Sequence, residues 1–264
     1  MSTGPNPQNS SVPLFIGTAG WAIPALFRDA FPLEGTALQR YAAVMGCTEV
    51  NSSFHRPHRR ATWERWADSV PEGFRFSVKI PKLISHTKRL VDAEAELGQF
   101  IEEAAGLGTR LAIFLLQLPP SLAFEPEATA AFIASTSSLT DVPVVIEPRH
   151  ASWFEPIADA MLTELRVARV AADPVKVPDA ARPGGWRGLS YFRLHGAPVM
   201  YRSPYDDDRL QDYAAALTQD LAAGRPSWCM FDNTASSAAL GDALKLTRYM
   251  QTSTEPDGEQ RLPR

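Results

Sequence analysis

LSYFRLHG, residues 189–196, reads as a strand with two chemically different faces. Side chains alternate along a strand, so Tyr191, Arg193 and His195 share one side while Phe192 and Leu194 share the other. Gly196 ends the run without a side chain to crowd whatever lies beyond it. A strand with one apolar face and one face of mixed charge belongs where one side packs on a core and the other lines a polar cavity.

Working outward, runs of strand length and composition recur at 14–18, 48–53, 74–80, 111–118, 143–147, 167–172, 189–195 and 228–232. Helical patterns fall between them at 34–45, 59–70, 92–107, 125–138, 154–165, 206–223 and 234–250. In the second of these Trp63, Trp66, Ala67 and Val70 form one stripe at helical spacing, a packing face. Between Asp173 and Leu189 prolines and glycines break the pattern, and a loop replaces the sixth helix. Regular alternation predicts a parallel sheet with helices outside, and eight strands predict closure into a (β/α)8, TIM-barrel-like α/β fold. No GxGxxG or phosphate-binding loop follows the first strand to favour an open doubly wound sheet.

The 264 residues are 45% hydrophobic and 21% charged, with a net charge of −4. Such a chain can bury a large core and has no general attraction to polyanions. One domain is expected over 13–251, between flexible tails at 1–12 and 252–264 that are rich in polar residues and proline. The N-terminus has no apolar signal stretch, and no run has the length to span a bilayer, so a cytoplasmic protein without a membrane partner is expected. Cys47 and Cys229 fit small buried apolar roles better than a disulfide.

The strand ends carry the chemistry. Inward candidates are Glu49 and Asn51, Lys79, Gln117, Glu147 and Arg149, Asp173, Arg193 and His195, with Asp232 and Asn233 closing the last strand. Barrel interiors are normally filled by branched apolar side chains, and each charge taken out of water costs several kcal/mol unless paired. That cost points to function, since barrel enzymes place their catalytic groups at strand C-termini; a salt-bridge network that plugs the barrel is the alternative. Beside these, residues 55–60 hold His55, Arg56, His58, Arg59 and Arg60 without an acid, and residues 79–89 hold Lys79, Lys82, His86, Lys88 and Arg89. Neighbouring basic loops suit an anion such as a phosphate, a carboxylate or a nucleic-acid backbone. Trp153, Tyr201 and Tyr205 are candidate pocket walls, with plain packing as the alternative for the tryptophan. No histidine or cysteine spacing matches a metal motif; a divalent ion held by Glu49, Glu147, Asp173 and His195 is chemically suitable but indicated by no motif.

IGTAGW (16–21), EVNSSFHRP (49–57), FRFSVKIPKLISH (74–86), LLQLPPS (115–121), VIEPRHASW (145–153), YFRLHG (191–196) followed by Tyr201 and Tyr205, and FDNT (231–234) together resemble the DUF72, or YecE-like, family. The likeness runs from about Ile16 to Met250 and implies a TIM-barrel-like fold, but no established reaction. Two positions depart from the family pattern. His55 stands where a tyrosine is usual, and Asp232-Asn233 stands where an Asn-Asn pair is usual.

The functional expectation is a hydrolase- or isomerase-type enzyme acting on a small or extended anionic substrate, with a phosphate or sugar-phosphate compound as one candidate. In it Glu147, His195, Arg193 and Glu49 are catalytic. Asn51, Lys79, His86, Gln117, Arg149, Trp153, Asp173, Tyr201, Tyr205 and Asn233 bind substrate. No nicotinamide or flavin fingerprint is present. The competing expectation is a nucleic-acid-binding module, or a metal-dependent nuclease, working through loops 55–60 and 79–89. Arg193→Met is expected to leave a folded protein that has lost ligand binding or turnover.

Overall fold

Alternation along each strand sorts the buried residues into two cores, one inside a barrel and one around it. The computed structural model describes residues 12–175 and 177–252, so the expected tails lie outside the described residues except at their innermost positions. The strands are β1 (Leu14–Ala19), β2 (Cys47–Val50), β3 (Arg75–Lys79), β4 (Leu111–Gln117), β5 (Val144–Glu147), β6 (Ala168–Arg169), β7 (Ala171–Asp173), β8 (Gly184–Gly185), β9 (Ser190–Leu194) and β10 (Ser227–Phe231). They pair in the order β7-β9-β10-β1-β2-β3-β4-β5-β6-β8. All of these ladders are parallel except the antiparallel β6–β8 pair.

β6 and β7 are two pieces of one stretch, separated by Val170. The first piece pairs with β5, the second pairs with β9, and the Val170 N–H donates to Ile146 O at 2.8 Å. The sheet therefore curls round until its ends meet on consecutive residues, and the eight expected strands make the barrel. The helices are α1 (Ala37–Ala42), α2 (Arg60–Asp68), α3 (Glu94–Ala104), α4 (Pro126–Leu139), α5 (Pro156–Glu164), α6 (Asp207–Ala222) and α7 (Ala238–Thr252). A 3-10 turn at Pro178–Ala181 and the short β8 stand where the sixth helix is missing.

Element ends shift from expectation for local reasons. α1 starts later because Thr36 caps it: its hydroxyl accepts from Gln39 N, and Gln39 Oε1 accepts from Thr36 N. β2 stops at Val50 because Asn51 already has helical angles (φ −91°, ψ −18°) and opens a 3-10 turn at Ser52–Phe54. That early turn brings Phe54 back over the end of β3.

Phe76, Val78, Phe114, Leu116, Ile146, Phe192, Leu194 and Phe231 face the helices and belong to the outer core. Cys47, Ile113, Leu115, Val145, Ala168, Val170, Tyr191, Trp228 and Met230 fill the barrel. Tyr191 and Trp228 stack inside it with centroids 6.2 Å apart. Gly17 belongs to the tightest layer: a Cβ there would stand 2.3 Å from Cys47 O and 2.8 Å from Cys47 Sγ. Both cysteines are buried and free. No helix among the described residues is long and apolar enough to cross a membrane.

Candidate active site at the barrel mouth

The inner faces that carry apolar residues through the barrel end in charge at its C-terminal side. Cys47 leads to Glu49, Ser77 to Lys79, Val145 to Glu147, Tyr191 to Arg193 and His195, and Met230 to Asp232. Arg193 lies at the centre. Its Nη2 is 2.8 Å from Glu49 Oε1 and 2.8 Å from Asp232 Oδ2, and its Nη1 is 3.0 Å from Glu147 Oε2. Its Nε donates to both Glu49 oxygens at 3.1 Å. Arg193, Glu49 and Glu147 are at most 1% exposed. Burial works against the arginine's charge, but Asp232, Glu49 and Glu147 outweigh it and hold the guanidinium protonated. Burial likewise pushes Glu147 upward, and Arg193, Arg149 and His195 overcome it, leaving that carboxyl well below the usual range.

His195 bridges two of these acids. Its Nε2 is 3.1 Å from Glu147 Oε1 and its Nδ1 is 3.0 Å from Asp232 Oδ2. Arg149 closes the same corner, with Nη2 2.6 Å from Glu147 Oε1 and 3.2 Å from His195 Nε2. Below, the Tyr191 hydroxyl lies 2.9 Å from both Glu49 Oε2 and Ser77 Oγ and donates to one of them. Asp232 is pushed up by burial and pulled further down by Arg193 and His195, so it is a carboxylate.

Lys79 differs from the other cations. It is 7% exposed, and among the described residues no carboxylate oxygen lies within 4.0 Å of its ammonium; Nζ instead sits 4.1 Å from the Phe54 ring centroid. Burial first, and Arg193 second, lower its pKa to about 8, against opposing pulls from Glu147, Glu49 and Asp232. Asn51 Nδ2 reaches Asp232 Oδ1 at 3.4 Å, while its buried Oδ1 has no hydrogen-bond partner among the described residues. Gln117 stands in register with Glu147. His86 packs edge-on against the other side of this corner, 5.1 Å from Phe54, and burial together with Lys79, Lys82 and Arg149 favours its neutral form. Tyr201 covers His195, ring to ring at 5.4 Å, and its backbone N–H donates to His195 O. Gly196 makes that fold-back feasible: at φ +88°, a Cβ would stand 2.5 Å from Ser203 O.

Four expected substrate-binding residues are not at the mouth. Asp173 lies two residues beyond Ala171, which belongs to the outer core, so its carboxylate points outward and pairs with Arg209 of α6 at 2.8 Å. Tyr205 is in the outer core: its hydroxyl accepts from Gly196 N and donates to Asp173 O. Asn233 also faces outward, donating to Ser203 O and Asp242 Oδ2. Trp153 is buried against Phe124 and donates to Leu122 O. In exchange the site gains Asp232, Tyr191, Ser77 and Phe54. The parity of Trp228 and Met230 was the available signal for Asp232; nothing local announced Phe54.

The four-residue metal set also fails, because Asp173 faces away and the space among Glu49, Glu147 and Asp232 is filled by a guanidinium. Among the described residues no group of three or more His, Cys, Asp or Glu side chains is placed to hold an ion. The basic loops flank a cleft of about 620 Å³ outside the barrel, lined by Phe54, Trp63, Lys82 and Ile84 and by the acids Glu96 and Glu103. Part of their charge is spent locally, since Arg60 pairs with Glu64 and Lys88 with Glu96.

Comparison with known proteins agrees with this fold. The family described as "Protein of unknown function DUF72" matches residues 15–264. The UPF0759 protein YunF of Bacillus subtilis is 25% identical over 267 residues, covering 90% of this chain and 94% of that one. A crystal structure of a DUF72 family protein from Enterococcus faecalis superposes with a TM-score of 0.75 at 20% identity, over 95% of this chain and 100% of that chain. Another from Thermotoga maritima gives 0.73 at 20% identity, over 90% and 99%. At such identities the structural likeness establishes the fold alone.

Proposed function

The chain belongs to the DUF72 family, whose description assigns no reaction, and we propose from the site itself that it is a proton-transferring enzyme of isomerase or hydrolase type acting on a small anion. One observation supports this most: Glu49, Glu147 and Asp232 all pair with Arg193, with His195 bridging two of them, while the ammonium of Lys79, buried beside them, is within ion-pair distance of no carboxylate among the described residues. A plug that only stabilised the barrel has no need to keep a buried ammonium out of direct contact with the carboxylates beside it.

In this reading Arg193 is a positioning residue, because its hydrogen bonds are already used. Lys79 and Arg149, with side chains reaching the opening, hold the anion. Asp232 is the carboxylate with some access to the mouth, its side chain 11% exposed, and serves as general base. His195 fixes its Oδ2 and links it to Glu147, so a proton taken at Asp232 is shared along the network. Asn51 Oδ1 offers an acceptor to a substrate hydroxyl.

Thermal unfolding with inorganic phosphate, pyruvate or dihydroxyacetone phosphate tests the reading. A ligand at 100 times its Kd adds about 2.7 kcal/mol to stability. The expected result is a raised midpoint with at least one anion, retained by Lys79→Arg and lost by Lys79→Met. Equal shifts in wild type and Lys79→Met, or none in either, overturn it.

A further inference from the structure

We infer that Lys79 is a covalent residue, whose amine captures an aldehyde or ketone group of the substrate as an imine. The inference rests on the proton-transfer reading of the mouth and names the substrate class: a small carbonyl compound carrying an anionic group.

Position carries the argument. Among the described residues Lys79 is the one buried lysine. Lys88 and Lys245 are ion-paired to Glu96 and Asp207, and Lys82 is exposed. Lys79 ends an inward-facing row of β3, on the same face as Ser77, so its stem is gripped by the barrel and its nitrogen is presented to the opening. The Phe54 ring lies against Nζ at 4.1 Å in place of an acid. An anion clamp needs only a permanent cation, which an arginine or an exposed lysine supplies. Holding an ammonium among low-dielectric walls and next to Arg193 instead favours the free amine, and its pKa of about 8 leaves roughly two orders of magnitude more free base at neutral pH than an ordinary lysine has.

The neighbouring groups suit the remaining steps. The amine attacks the carbonyl carbon, a C–N bond forms, and the carbonyl π pair moves to oxygen, which takes up a proton. The nitrogen loses a proton to Asp232; the carbinolamine oxygen is then protonated and leaves as water. Asp232 returns the proton it took to that oxygen and solvent supplies the other, so the sum is amine plus carbonyl plus one proton giving protonated imine plus water, with no oxidant or reductant. The protonated imine carries its charge where the ammonium had it, over the Phe54 face and within the field of Glu49, Glu147 and Asp232. That charge acidifies the adjacent carbon, whose proton the Asp232 carboxylate removes; reprotonation of that carbon on its other face regenerates the imine with inverted configuration, and addition of water to the imine carbon releases the isomerised carbonyl compound, the Lys79 amine and a proton.

Borohydride trapping tests this. Wild type is incubated separately with pyruvate, glycolaldehyde and dihydroxyacetone phosphate near pH 8, reduced with borohydride, and mapped by peptide mass spectrometry. The expected result is a single reduced adduct on Lys79, formed at least about ten-fold faster than on Lys82, Lys88 or Lys245. It should be absent in Lys79→Arg. Labelling of Lys79 no faster than of the surface lysines with all three probes overturns the inference. The two readings fail separately: if Lys79 is not trapped while Lys79→Arg keeps and Lys79→Met loses the anion-induced rise in midpoint, the anion site stands and the covalent role falls.

Discussion

Arg193 and Glu49, from opposite sides of the barrel, meet in a side-on pair with Nη2 to Oε1 at 2.8 Å and Nε 3.1 Å from both carboxylate oxygens, neither residue more than 1% exposed. With Glu147 and Asp232 on its remaining donors, this arginine organises the mouth and has little left for a ligand.

Arg193→Met therefore falls first on stability. It strands Glu49 as a buried carboxylate without a cation and leaves Glu147 to Arg149 and His195, and the expected cost is about 3–5 kcal/mol. This replaces the expectation, drawn from sequence, of a folded but inactive protein. Urea denaturation checks it; adding Glu49→Gln should recover part of the loss, and a Met variant as stable as wild type contradicts it.

Lys79→Met should act in the opposite direction. Folding lowers the lysine's pKa to about 8, so the folded state binds fewer protons than the unfolded chain between pH 8 and its ordinary value near 10.4, and wild-type stability rises with pH across that window. At pH 7 the folded protein carries the whole penalty, about 3 kcal/mol at most. The Met variant should be more stable at pH 7, with the gap narrowing by pH 9.5 in denaturant titrations. A variant less stable at pH 7 shows that the ammonium is structural.

Acid should undo the network. Glu147 and Asp232 are depressed in the folded protein, so their contribution is complete above their unfolded values, near 4.3 and 3.9, and is lost as pH falls through the lower folded ones. Stability is expected to fall steeply below about pH 4, and Glu147→Gln to flatten the pH slope there. An unchanged slope in that variant places the acid sensitivity elsewhere.

Asp173 and Asp232 sit at the ends of strands yet face opposite ways. Asp173→Ala breaks one pair with a 48%-exposed arginine, should cost about 1 kcal/mol or less, and should leave any anion-induced rise in melting midpoint unchanged. Asp232→Asn should diminish that rise. The reverse ranking rejects the assignment of the two faces.

Gly17→Ala, with its Cβ 2.3 Å from a carbonyl oxygen inside the barrel, should destabilise by about 1–3 kcal/mol. Gly46→Ala, where nothing lies within 4 Å, is the matched control and should shift the melting temperature little.

The alternation of short strands with helices determined the fold, because a period of two or 3.6 is written in local order and needs no partner to be read. The same parity marked Glu49, Lys79, Glu147, Arg193 and His195 as one inward set. Where a strand was interrupted or ended, local order stopped being informative. The break at Val170 and the turn after Phe231 set whether Asp173, Asp232 and Asn233 face in or out, and the next loop's packing took Tyr205 into the outer core. Phe54 became the neighbour of Lys79 only because β2 ends in a turn that lays it across β3. Sequence alone thus determined a barrel with a charged mouth. Which charges pair directly and which one stays out of contact was decided by closure of the sheet, since electrostatic pairing depends on distances between strands that lie far apart in the chain.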